Sequence, residues 1–180
     1  MARAYFERHA ARLFATGAPV IGNLVRAEGS KEPSLAVRVP VRNGHGEIVQ
    51  ALTASTTSER IARLLRDRTV SDEWVRGIID NNGVLVARSR DPERFVGQKG
   101  TASYLELVQR SSRAFYRDVS LDGRAVYGAF SRGPISGWAA FVAVPASVLD
   151  SAFEGSITTL VLLSLALLGV GTGGAFLASR

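Results

Sequence analysis

The hydrophobic pattern changes period several times along the chain, and each change marks an element. Over residues 3–15, Tyr5, Phe6, His9, Leu13 and Phe14 recur at helical spacing, and Gly17 and Pro19 supply a stop. Residues 19–26 read as extended. SLAVRVPVRNGHGEIVQALTAS, residues 34–55, places two runs of strand formers around Asn-Gly-His-Gly, a hairpin signal, with Pro40 suited to an edge position. SERIARLLRDR, residues 58–68, returns to helical spacing, with Ser58 as N-cap and Ile61, Leu64 and Leu65 on one apolar face.

WVRGIID and VLVARS then flank Asn81-Asn82-Gly83, residue types that tolerate the positive φ of a tight turn. TASYLELVQR, residues 101–110, predicts a helix capped by Thr101 or Ser103. Three further strands follow, AFYRDVS, RAVYGAFS and GWAAFVAVP, separated by Asp122-Gly123 and by the segment from Gly133 to Gly137. SVLDSAF is again helical. Strand, strand, helix, strand, strand, strand over residues 71–145 is the order of a PAS-like antiparallel sheet, so the fold class is α+β. LAVRVPVRNGHGEIVQALTAS and the helix after it parallel AVYGAFSRGPISGWAAFVAVP and the helix after that. The pattern predicts a second, partial copy of the unit at the N-terminus, without its opening strand pair.

SITTLVLLSLALLGVGTGGAFLAS, residues 156–179, carries no charge. About 20 apolar residues cross a bilayer as a helix, so a transmembrane helix is expected over 155–179. Gly169 and Gly173 have the spacing that lets two membrane helices approach closely, although glycine is common in such helices in any case. MARAYFERHAARLFATG lacks the apolar core of a signal peptide. The expectation is a soluble part joined to a membrane anchor: either a tail-anchored protein or an N-terminally incomplete piece of a longer receptor, with Arg180 opening a basic flank.

Composition narrows the chemistry. The 46% apolar content allows a real core, and the lack of cysteine removes disulfides, thiolate metal sites and cysteine nucleophiles. Only His9 and His45 offer imidazole, so neither a histidine-rich metal site nor a serine–histidine hydrolase is suggested. Net charge is +6, but the arginines are scattered among acids rather than gathered in a stripe, which argues against nucleic acid as a partner. No cofactor is called for.

IIDNNGVLVARSRDPERFVGQKG, residues 78–100, concentrates the polar candidates. Asp80, Asp91 and Glu93 could be posed as acid–base carboxylates, but no cleft or substrate grip is visible, and an Asp opening a tight turn ordinarily accepts backbone N–H bonds. Arg88 either grips a ligand carboxylate, pairs with Asp91 or Glu93, or is solvated. Gly97 suits a positive φ before the next helix. Tyr116 shares a strand face with Asp118, and Tyr127 shares one with Ala125 and Ala129. Small neighbours beside these tyrosines and Tyr104 either leave room for a ligand or fill core. Trp138 reads as a packing anchor, and Phe130 and Phe141 as core.

These residues resemble a known family. IIDNNGVLVARSRDPERFVGQ, AFSRGPISGWAAFVAVPASVL and the apolar helix are similar to the double Cache (PDC-type, PAS-like) extracytoplasmic sensor region of bacterial transmembrane receptors, most of all those of histidine kinases. The shared pattern falls on Asp80, Gly83, Ala87, Arg88, Ser89, Pro92, Glu93, Phe95, Val96 and Gly97. The resemblance implies a partial membrane-distal unit at 1–57, a connecting helix at 58–70, a membrane-proximal unit at 71–150 and the span at 155–179. It further implies a soluble part outside the inner membrane, a homodimer, and a cytoplasmic output domain elsewhere in the parent protein, such as a histidine kinase or diguanylate cyclase. This chain is then not itself an enzyme. Its candidate ligand residues are Arg88, Tyr104, Tyr116, Asp118 and Tyr127, for a carboxylate or amino acid. The alternative is a dimerisation or spacer module that binds nothing.

Overall fold

A computed structural model describes residues 2–26, 32–66 and 71–151, together with Ser164. Helix α1, Ala2–Thr16, leads into a three-stranded antiparallel sheet of β1 (Val20–Ile21), β2 (Ser34–Arg42) and β3 (Ile48–Thr57), in that order. β1 pairs at Val37 and Arg38 of β2, so from Val39 onward that side of β2 is an edge, and Pro40 sits there without breaking a ladder. The β2–β3 hairpin turns at Asn43, whose side-chain oxygen accepts from the amides of His45 and Glu47.

Helix α2, Ser58–Leu64, is capped one residue earlier than the sequence suggested: Thr57 accepts from the Arg60 amide, and Ser58 is buried instead. The expected apolar face is also rotated. Ala62 and Ser58 face inward against β5, while Leu64 is 83% exposed, because the helix packs its small side on the neighbouring sheet.

The second sheet has five antiparallel strands in the order β5-β4-β8-β7-β6. They are β4 (Val75–Ile79), β5 (Leu85–Arg88), β6 (Arg113–Val119), β7 (Ala125–Arg132) and β8 (Ala139–Pro145). Between β5 and β6 lie α3 (Pro92–Phe95), a single turn that the hydrophobic pattern did not predict, and α4 (Ala102–Arg110), capped by Thr101. Residues 146–151 continue from β8 as helix. The α+β class and the PAS-like sheet order are as expected. The N-terminal sheet also ends in a hairpin followed by a helix.

Rows of cross-strand partners define the inner face of the sheet. Val75, Ala143, Gly128 and Tyr116 form one row across β4, β8, β7 and β6; Gly77, Phe141, Phe130 and Ala114 form the next. Tyr104 and Val108 of α4 pack down on Phe130, Ile79 and Leu85 to close the main core. The expected span at 155–179 lies outside the described residues, apart from Ser164, which is helical. Among the described residues, no helix is long and apolar enough to cross a membrane.

Candidate ligand-binding site

A cavity of about 60 Å³ lies between the inner face of the five-stranded sheet, the N-terminal end of α4 and the β6–β7 turn. Its floor is Val75, Val126 and Ala143, and its polar lining comes from Arg88, Tyr104, Tyr116 and Asp118. Four of the five candidate residues thus meet in one place, although β5 and β6 are opposite edges of the sheet.

Arg88 is 2% exposed. Its guanidinium lies 4.0 Å from the centroid of Phe95, contributed by α3, and Nη2 donates to Asp122 Oδ1 at 3.0 Å. The partner is therefore neither Asp91 nor Glu93. Asp91 takes a left-handed conformation, φ 48°, at the start of α3, and its carboxylate faces Arg90 at 3.8 Å near the surface. Arg88 Nη1 is buried without a partner among the described residues. A buried donor left unpaired costs about 1–3 kcal/mol, more when charged, so it marks a place where an acceptor is wanted.

Tyr104 and Tyr116 form the aromatic wall, with ring centroids 5.3 Å apart. Tyr104 also meets Phe130 and Phe141 edge-on at 5.7 and 5.5 Å. Its hydroxyl is buried and, among the described residues, unpartnered. Burial, and then the neighbouring Tyr116, push the Tyr104 phenol well above its ordinary range. Burial, and then the Asp118 carboxylate, push Tyr116 up to about 12. Both therefore stay neutral donors at physiological pH.

Asp118 has structural partners already. Its Oδ2 accepts from Ser103 Oγ at 2.6 Å and Thr101 Oγ1 at 3.2 Å, tying the start of α4 to β6. Asp122 sits in the β6–β7 turn. Burial pushes its carboxyl up, but hydrogen bonds from Ser120, Arg88 and its own backbone, with the Arg88 charge, outweigh that and hold it below the usual carboxylate range.

Tyr127 is not in the cavity. Val126 and Gly128 face inward, so period two turns Tyr127 to the other face. There its hydroxyl donates to Asp150 Oδ1 at 3.4 Å, and the Arg117 guanidinium lies 5.3 Å from its ring centroid. Asp80 performs turn chemistry: Oδ1 accepts from the amides of Asn82 and Val84, and Oδ2 from Leu24. Gly97 has φ 89°, and Trp138 lies just ahead of β8. Sequence reasoning missed the two residues that hold Arg88 in place. Phe95 sits in the unpredicted α3, and Asp122 was read only as a turn residue; its adjacency to Gly123 was the sole signal.

This is the fold of the extracytoplasmic Cache-type sensor domains of bacterial receptors. It is shared with the periplasmic sensory domain of the Campylobacter jejuni chemoreceptor Tlp1, at TM-score 0.59 and 16% identity over 78% of this chain and 55% of that one. The extracellular domain of the proposed histidine kinase mmHK1S-Z3 matches at TM-score 0.65 and 15% identity, over 81% of this chain and 55% of that one. The ligand-binding domain of the Pseudomonas fluorescens chemoreceptor CtaA, in complex with L-isoleucine, matches at 0.55 and 12%, over 83% and 58%. At these identities the likeness is one of fold, and the chain spans little more than half the length of the solved domains it matches. No protein-family model and no curated protein matches the sequence.

Proposed function

We propose that the chain is the sensing and relaying part of a membrane receptor, and that a small carboxylate or amino acid binds between α4 and the β6–β7 side of the sheet. One observation carries this reading: Arg88 and Tyr104 both line the cavity, and each has a buried donor, Nη1 and the phenol hydroxyl, with no partner among the described residues. Arg88 Nη1 and Tyr104 take the carboxylate, and Asp118 takes an ammonium group where the ligand has one. The isoleucine bound to CtaA, whose domain has the same fold, supports an amino acid as the ligand class.

The relay runs through β8. That strand pairs with β4 and β7 on either side and passes directly into the helix at 146–151. A ligand that favours one packing of the sheet shifts that helix, within the limit set by its differential affinity for the two packings. In this reading residues 1–57 are part of a membrane-distal unit, 155–179 cross the inner membrane, the soluble part lies outside it, the receptor is a homodimer, and a cytoplasmic output such as a histidine kinase completes it. Isothermal titration of the full chain in lipid nanodiscs tests the site. Heat on addition of glycine, other amino acids or acetate, abolished by Arg88→Gln, is expected; no binding by a folded sample overturns it.

A second reading is a spacer that binds nothing. The cavity size favours it, since about 60 Å³ is well below the roughly 150 Å³ that holds a benzene. Cross-linking through a cysteine placed at Leu149 tests the dimer both readings need, and a strictly monomeric chain in membranes sinks the relay in either form.

A further inference from the structure

We propose that the β6–β7 turn, residues 120–123, is a lid over the cavity, held shut because Asp122 occupies Arg88 in place of a ligand's carboxylate. This rests on the cavity being a binding site. Ser120 and Leu121 form part of the cavity wall, and the next residue along the turn is the one bonded to Arg88. The turn closes on itself through Ser120 N–H to Arg124 O at 2.9 Å and Gly123 N–H to Ser120 O at 2.8 Å, so it can swing as a unit. Leu121 packing and the Arg88–Asp122 pair hold it to the body of the domain.

The geometry separates a fixed group from a movable one. Arg88 is anchored: its side chain is 3% exposed, and its guanidinium is stacked on Phe95. Asp122 follows the two wall residues along the turn, with the half-exposed Arg124 placing its Nε already 3.4 Å from the other carboxylate oxygen. A cavity of about 60 Å³ admits an amino acid only if a wall moves. This turn is the wall whose attachment a ligand can replace like for like. As the ligand's carboxylate engages the unpartnered Arg88 Nη1 and then spreads onto Nη2 as a bidentate pair, Asp122 transfers to Arg124. The buried guanidinium then always has an anion, and no step passes through the uncompensated charge that makes breaking a buried pair costly. Occupancy is thereby converted into an outward shift of the turn that links β6 to β7.

The chain has no cysteine, so Leu121→Cys gives a single reporter of lid opening. In the full chain in nanodiscs, glycine or acetate is expected to speed thiol labelling at position 121. Adding Asp122→Asn is expected to speed labelling without either probe and to tighten their binding, each by about 10-fold. Unchanged labelling in ligand-free Asp122→Asn overturns the latch. Probe binding that leaves labelling at 121 unaltered overturns the exchange. Faster labelling in Asp122→Asn with no probe binding to any form overturns the site reading, and ligand exchange with it. Should Asp122→Asn fail to fold, the response of Leu121→Cys alone to glycine and acetate still decides.

Discussion

Tyr116 on β6 and Gly128 on β7 are cross-strand partners, and the tyrosine ring lies over the glycine so closely that a Cβ there would fall 2.3 Å from Tyr116 Cζ. Gly128 is not at positive φ, so the requirement is for space rather than for an unusual backbone. Gly77 does the same for Phe141 in the next row, where a Cβ would meet the ring at 2.4 Å. These two absent side chains let the aromatic wall fold down onto the sheet. Gly128→Ala is expected to lift Tyr116 and destabilise the domain by about 1–3 kcal/mol, the range for overpacking, while weakening any ligand. Thermal melting with a binding titration checks both, and a variant that melts like the wild type shows that the ring has room to give.

Tyr104→Phe separates a ligand role from a structural one. Its buried hydroxyl has no partner among the described residues, so removing it should leave the domain at least as stable as the wild type, with a gain of up to about 1–3 kcal/mol. A ligand carboxylate that uses that hydroxyl loses about 1 kcal/mol, or roughly fivefold in affinity. A clear loss of stability with unchanged affinity would instead make Tyr104 a packing residue only.

The two raised phenols set a pH dependence. Burial raises the folded-state pKa of Tyr116 to about 12 and moves that of Tyr104 higher still. Unfolded, both ionise near 10. Below pH of about 10 both states are protonated and the contribution is fully present. As pH rises from there through about 12, the unfolded chain releases protons that the folded one keeps, so stability falls. Denaturation across that window, followed by tyrosinate absorbance, is expected to show a downward slope that becomes shallower in Tyr116→Phe.

Much of this frame was legible in the sequence because its signals are local. Alternation marked β2, β3, β4 and β6–β8; Asp80-Asn-Asn-Gly marked a turn; and Thr101 was a recognisable cap. Arg88 and Asp122 were not legible as a pair. They are far apart in sequence, and their contact exists only because the sheet order brings the end of one edge strand to the turn after the other. The single turn of α3 was too short for periodicity to register, so Phe95 stood out only through the family pattern and not as the ring under Arg88. Leu64 misled because helical spacing shows that a face exists without showing which face a neighbouring sheet will cover.

Asp80 joins a turn to the N-terminal part of the chain, and a conservative change separates those roles. In Asp80→Asn the side-chain oxygen can still accept from Asn82 and Val84. The amide nitrogen then replaces Oδ2 and opposes the Leu24 N–H, donor against donor. The hairpin should survive while the link to Leu24 is lost. Hydrogen exchange is expected to rise at Leu24 and stay protected at Val84. Asp80→Ala, losing all three bonds to a charged acceptor, should cost about 3 kcal/mol or more.

Tyr127 was a ligand candidate because it shares a strand face with the small Ala125 and Ala129, yet its geometry predicts a different phenotype. It stands on the same strand as Val126 and Gly128 but on the opposite face, with its cross-strand partner on β8 being Val144, next to the strand's end. Its hydroxyl reaches Asp150 in the helix that continues from β8, so it ties the first part of β7 to the exit segment. Tyr127→Phe removes that tie and touches nothing in the cavity. Affinity for a bound amino acid should therefore change by less than about twofold, under 0.5 kcal/mol, whereas hydrogen exchange in residues 146–151 should quicken. Loss of affinity without faster exchange would move Tyr127 back to the ligand side of the sheet.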